Sequence, residues 1–306
     1  MNSIVSIVVV TYNSSKTILD TLNSIKHQTY KLSNVELIIT DDASTDKTIL
    51  IVNEWLELNS REFYKVILLD NNKNEGVASN INKAWKLCSG KWVKSIAGDD
   101  LLFPNCIELN VNFVKNNSNA KIVFSNVKLF TYEIANQLKD LSHDNVFFEL
   151  SSCQQRDALL YENKLIAPSA FISRQLLIDV GYADEKYCMI EDYPLWLKIS
   201  KSGERFFLLN EFTVYYRYDE SLSNQISKIG NVKYLESMYD FKKDMIWPLW
   251  SKRYLFRYID EVFNYHEKFL LIKIFRNKAT KAYKIIHRLL FLIRPYQLYS
   301  LLFNKR

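Results

Sequence analysis

The chain opens on a near-continuous apolar run, Ile4 to Val10, rich in β-branched residues. A strand covered on both faces reads this way, without the polar alternation of a half-exposed one. Ile18, Leu22 and Ile25 then recur at helical spacing. Val35 to Thr40 forms a second strand run that ends at Asp41-Asp42. Asp46 is placed to cap a helix carrying Ile49, Val52, Trp55 and Leu56. Tyr64 to Leu69 predicts a third strand, and Val77 to Leu87 a helix with Ile81, Ala84 and Trp85 on one face. Trp92 to Ala97 predicts a fourth strand, Pro104 opens another helix, and Lys121 to Ser125 predicts a fifth strand. Strand and helix alternating at this period imply an α/β fold, a Rossmann-like, doubly wound, mostly parallel sheet.

In such sheets ligands bind beyond the carboxyl ends of the strands. Those ends carry Thr11-Tyr12-Asn13, Asp41-Asp42, Asp70 with the segment to Gly76, and Asp99-Asp100. Polar and acidic residues therefore collect along one edge of the sheet. Carboxylates are costly to bury and repel one another, so the pair Asp99-Asp100 suits a hard divalent cation, Mg²⁺ or Mn²⁺, which keeps positions open for phosphates. The same two residues also suit a plain strand-to-helix turn, with Asp100 as an N-cap ahead of Pro104.

From about residue 126 the pattern is less regular. Leu195, Trp196 and Ile199 share a helical face, so Glu191 and Asp192 fall at that helix's N-terminal end, where the helix dipole favours negative charge. Phe206 to Tyr218 reads as one or two strands. From about Asn231 the chain becomes rich in Tyr, Phe, Lys and Arg and reads as several helices, and no Asp or Glu follows Glu267. That segment fits an anionic bilayer surface, or an amphipathic helix packed on its own domain or on a partner. The expected division is a catalytic domain over residues 1–225 and a helical, basic C-terminal extension over 226–306.

Composition narrows the field. At 306 residues and 48% hydrophobic the chain can fill a large core, and 6 Gly with 5 Pro exclude a collagenous or low-complexity protein. The net charge of +6 allows phosphorylated ligands or an anionic surface. A nucleic-acid partner is not expected, because the acidic strand ends would repel a phosphate backbone. Cys88, Cys106, Cys153 and Cys188 show no CxxC pairing, which argues against zinc and for reduced thiols in a cytoplasmic setting. The N-terminus lacks the basic start of a signal peptide, and no stretch reaches the roughly 18 apolar residues of a membrane span. The turn after the first strand has no glycine, which excludes a dinucleotide fingerprint, and there is no P-loop or Ser-His-Asp arrangement.

Ser6 to Asn13, Thr40 to Asp46, Asn74-Glu-Gly76 with Asn82, Gly98 to Asp100, and Glu191-Asp192 ahead of Leu195-Trp196 occur in the order seen in family 2 glycosyltransferases of the GT-A fold, which the chain resembles over residues 4 to 220. The resemblance implies a non-processive, inverting enzyme. It would move one sugar from a nucleotide-diphosphate sugar, by the resemblance a UDP-sugar, to a hydroxyl of a glycan or lipid-linked acceptor in surface polysaccharide synthesis. It places Thr11, Tyr12, Asn13, Asp42, Asn82 and Asp99 around the nucleotide, and Asp100 on Mn²⁺ or Mg²⁺. Asp192 becomes the general base with Glu191 beside it, and the protein lies on the cytoplasmic face of the membrane. A second reading is a catalytically inactive, transferase-like scaffold.

Three positions depart from the family pattern. Many relatives have Asp where Ala97 stands in the metal turn, and Arg where Ile81 stands before Asn82. Lys73 or Lys83 then becomes the candidate cation for the diphosphate. Asp219 stands where relatives place a His beyond Arg217, and is either a third metal ligand or an ordinary loop residue.

Overall fold

A computed structural model describes residues 3–131, 137–218, 228–292 and 294. The chain divides into two compact units, Met1–Tyr218 and Asp219–Arg306.

The first unit is built on one nine-stranded sheet. Strands β1 (Val5–Thr11), β2 (Val35–Asp41), β3 (Lys65–Asp70) and β4 (Trp92–Ala97) pair in parallel in the order β3-β2-β1-β4. Helices α1 (Ile18–Lys26), α2 (Thr48–Asn59) and α3 (Val77–Leu87) make the crossovers. β2 is buried along its whole length, as a strand covered on both faces must be. Its one charged interior residue, Glu36, is completely buried but not isolated. It accepts hydrogen bonds from Ser6 Oγ, Ser89 N–H and Ser89 Oγ. Burial alone would raise its pKa, but these bonds and Lys65 outweigh it, and the carboxyl is held below its ordinary value.

Beyond β4 the sheet departs from simple alternation. A two-residue strand, β5 (Leu101–Leu102), precedes α4 (Cys106–Asn116), so the helix expected from Pro104 starts two residues later. β6 (Ile122–Phe130) is not β4's neighbour. The three-residue β8 (Phe171–Ser173) lies between them and is antiparallel to both. β9 (Phe207–Arg217) is one strand, parallel to β6 and antiparallel to β5, and β7 (Gln137–Leu141) pairs with β6. α5 (Asn145–Glu149), α6 (Ser152–Tyr161), α7 (Arg174–Asp179) and α8 (Asp192–Lys201) complete the unit.

The parallel register aligns Thr11, Asp41 and Asp70 in one row across the strand ends, with Ala97 level with Val10 beside them. The second unit contains α9 (Val232–Met245), α10 (Trp247–Arg253), α11 (Leu255–Ile274) and α12 (Lys281–Leu292). Among the described residues no helix is long and apolar enough to cross a membrane.

Candidate active site at the strand ends

Two loops at the ends of β1 and β2 are tied to each other. Asn13 adopts a left-handed φ of 51°, a conformation Asn tolerates well. Its N–H donates to Ser44 Oγ (2.7 Å), and its Oδ1 accepts from Thr45 N–H (2.9 Å). Asp41 is buried and accepts from both Ser44 N–H and Ser44 Oγ, each at 2.6 Å. Asp42 N–H donates to the Thr11 carbonyl. Thr11 is buried with Oγ1 unpartnered, while Tyr12 is 50% exposed and offers an open ring face.

The structure gives Asp42 and Asn82 other partners than a nucleotide. The two oxygens of Asp42 accept from Glu75 N–H and Gly76 N–H, both at 2.9 Å, so this carboxylate organises the entry to α3. Gly76 is required there: φ is +89°, and a Cβ would lie 2.7 Å from the Cys188 carbonyl oxygen. Asn82 is a clamp. Its Oδ1 accepts from Ala183 N–H (3.0 Å), and its Nδ2 donates to the Ala183 carbonyl (3.0 Å) and to Glu185 (2.8 Å). Both amide hydrogens and one of the two acceptor sites of Oδ1 are thus taken up within the protein. Lys83 is likewise engaged, with Glu75 at 2.7 Å and Asn71 at 3.0 Å.

The turn after β4 is fixed from below. Gly98 N–H donates to the Val10 carbonyl, and a Cβ at Gly98 would come within 2.9 Å of Thr11 Oγ1. Thr21 Oγ1 donates to the Asp100 carbonyl at 2.8 Å. Arg217, at the end of β9, donates its N–H to Asp100 Oδ1 (2.8 Å) and its Nε–H to the Asp99 carbonyl (2.7 Å). Asp100 is only 1% exposed, yet Oδ2 has no hydrogen-bond partner. Burial and the neighbouring Asp99 charge push its carboxyl well above the carboxylate range. A buried, unpaired carboxylate oxygen beside a second carboxylate fits a divalent cation. Among the described residues no cluster of three metal-binding side chains exists. A Mg²⁺-type ion needs only one or two carboxylates when phosphates complete its shell. Asp219 lies outside the described residues.

Glu191 and Asp192 stand at the start of α8. Glu191 occupies the N-cap position but makes no side-chain capping bond. Asp192 Oδ2 accepts from Asn163 Nδ2 at 3.4 Å. Burial and the charge of Asp192 push Glu191 up to about 7, and burial raises Asp192 as well. Both carboxyls edge an open cavity whose other walls include Ile81, Trp85, Ile96, Ile172 and Leu195. One wall of it, the loop 167–170, is held against β4 by Lys94, whose buried ammonium donates to the Pro168 and Ala170 carbonyls.

The residue that sequence reasoning missed is Tyr216. It is 38% exposed, and its phenol is raised by burial and then by the charges of Asp100, Asp99, Glu191 and Asp192. Tyr216 thus lies within electrostatic reach of both acidic pairs. The available signal was the cluster of tyrosines around Arg217 at the end of a long strand.

Comparison with known proteins identifies the family. The family model for glycosyl transferase family 2 matches residues 6–177. The glucosyltransferase WfaP of Escherichia coli, a UDP-Glc:alpha-D-GlcNAc-diphosphoundecaprenol beta-1,3-glucosyltransferase, is 30% identical over 70% of this chain and 77% of its own. The uncharacterized glycosyltransferase MJ1057 of Methanocaldococcus jannaschii is 28% identical over 78% of each chain. Among solved structures, TarS 1-349 of S. aureus in complex with UDP-GlcNAc superposes with a TM-score of 0.56 at 21% identity, covering 76% of this chain and 64% of that one. Mannosyltransferase PcManGT of Pyrobaculum calidifontis, in complex with GDP-Man and Mn²⁺, gives 0.51 at 22% identity, over 70% of this chain and 56% of that one. The strand-end architecture and the match over more than half its length place this chain in glycosyltransferase family 2, as an enzyme that transfers glycosyl groups.

Proposed function

We propose that the enzyme moves one sugar from a UDP-sugar to a hydroxyl of a glycan or lipid-linked acceptor, by a single displacement that inverts the anomeric centre. The observation that carries this reading is that Tyr216, next to the Arg217 whose N–H bonds Asp100, lies within electrostatic reach of both Asp99-Asp100 and Glu191-Asp192. Tyr12 offers a ring for the base to stack on, beside the Thr11 and Asn13 loop. Asp42 acts by fixing the Glu75-Gly76 backbone. Asp100 would hold Mn²⁺ or Mg²⁺, with Asp99 beside it on the nucleotide side, and the ion when bound neutralises the diphosphate leaving group. Asp192, raised in basicity by burial beside Glu191, takes the proton from the attacking hydroxyl. The neutral phenol of Tyr216 donates a hydrogen bond between the two groups. Two carboxylates and no second nucleophile suit one inverting step.

The nucleotide is testable directly. With Mn²⁺ present, UDP raises the melting temperature more than GDP, CDP or dTDP does, because a ligand bound only by the native state stabilises it. Equal shifts with all four would show no uridine preference.

The acceptor side of this reading draws on WfaP, whose name specifies a diphosphoundecaprenol-linked acceptor. The second unit supports a place on the cytoplasmic membrane face. In α12, Tyr283 stacks on His287, and His287 Nδ1 lies 2.7 Å from Glu267 of α11. The opposite face exposes Ile285 (62%), Leu289 (59%) and Leu292 (57%), flanked by Lys281, Lys284 and Arg288. An apolar stripe edged by cations fits an anionic bilayer interface. Ile285→Glu with Leu289→Glu therefore releases the protein from phosphatidylserine-containing vesicles in a flotation assay and leaves donor hydrolysis intact. Unchanged flotation would assign the stripe to protein packing instead.

A further inference from the structure

The cavity beside Glu191 and Asp192 is walled by hydrocarbon. Ile81 and Trp85 of α3, Ile96 of β4, Ile172 of β8 and Leu195 of α8 line it, and the polar lining side chains are Ser95, the indoles of Trp85 and Trp196, and the two carboxylates. Ser95 Oγ accepts from Trp85 Nε1–H at 2.9 Å. Ile81, Ile96 and Ile172 carry no polar side-chain atom, so a sugar hydroxyl set against them finds no side-chain bond there. The two positions where relatives carry charge, Ile81 and Ala97, both belong to this wall. Their apolar identity and the shape of the cavity are thus one feature.

A hexose with a hydroxyl on every edge would leave at least one of them against Ile81, Ile96 and Ile172. An unpaired buried hydroxyl weakens binding by roughly 10-fold or more. A methyl group in the same place gains by leaving water. We infer that the donor sugar carries a methyl group, as a 6-deoxyhexose or an N-acetylhexosamine, seated among Ile81, Ile96 and Ile172 while its polar edge meets Glu191 and Asp192. This rests on the reading of the cleft as the donor-sugar site of a UDP-sugar enzyme. Selectivity for such a group is on the order of 10-fold to 200-fold.

The test uses the full chain, saturating Mn²⁺ and three donors that share one nucleotide: UDP-glucose, UDP-6-deoxyglucose and UDP-N-acetylglucosamine, with UDP as reference. Dissociation constants come from calorimetric competition. At least one methyl-bearing donor binds 10-fold or more tighter than UDP-glucose, and which of the two does so identifies the group. In Ile81→Asn that ratio falls below about threefold, while UDP affinity stays as in the unmodified protein. UDP-glucose binding as tightly as both others, with UDP itself bound, would overturn the inference and leave the UDP-sugar assignment standing. A preference unchanged in Ile81→Asn would also overturn the assignment of the methyl to this wall. Failure of UDP to bind would remove both.

Discussion

Asp192→Asn leaves the affinity for UDP unchanged and slows transfer by roughly 10²-fold or more, the usual scale of a positioned base. The side chain sits in the first turn of α8, at the cavity and bonded to Asn163. Asn keeps that shape and its contact with Asn163 but cannot accept a proton. The pH profile provides a second reading of the same group. A carboxyl whose folded pKa is raised remains protonated further up the pH scale. Burial and mutual repulsion raise this pair, with Glu191 pushed up to about 7. The base form of Asp192 is therefore lost at a higher pH than that of an ordinary carboxylate. Single-turnover rates measured across the acid and neutral range should fall on the acid side with a midpoint above the ordinary carboxylate range. Near-normal turnover in Asp192→Asn would exclude Asp192 as the base.

Asp100→Asn separates charge from structure at the turn after β4. The amide oxygen still accepts from Arg217 N–H, the bond that ties this turn to β9. What is lost is the negative charge on a buried oxygen that has no protein partner. The folded-state pKa of Asp100 lies above its unfolded value, so ionisation costs stability at neutral pH, and the variant melts no lower than the parent without ligand. UDP affinity in Mn²⁺ drops by at least about 10-fold, since a charged interaction to the ion is removed. UDP affinity in chelator is the same for both proteins. Equal affinities in Mn²⁺ would remove Asp100 from the metal site.

Much of this site could be read from the amino-acid order because β1 and β2 are buried on both faces. Such strands write themselves as near-continuous β-branched runs, and the residues at their ends are then conspicuous. The start of α8 was readable for a similar reason, since Leu195, Trp196 and Ile199 fix the helical phase and so the place of Glu191 and Asp192. The short elements could not be read. β5 has two residues and β8 three, too few for any period, and β8 exists only because β4 and β6 supply its pairing partners. Side-chain partners were equally hidden. A sequence shows that Asn82 is an amide but not that the backbone of Ala183 and the Glu185 carboxylate hold it. Ile81 and Ala97 were noticeable as departures from relatives, and only the fold shows that both line one cavity.

Calorimetric titration of UDP into the unmodified full chain, first with Mn²⁺ and then with a chelator, tests most directly whether the acidic rim grips a diphosphate through a cation. Saturable binding of one UDP per chain with Mn²⁺, weakened at least about 10-fold by the chelator, is the predicted result. Identical binding in both conditions, or none in either, would contradict it.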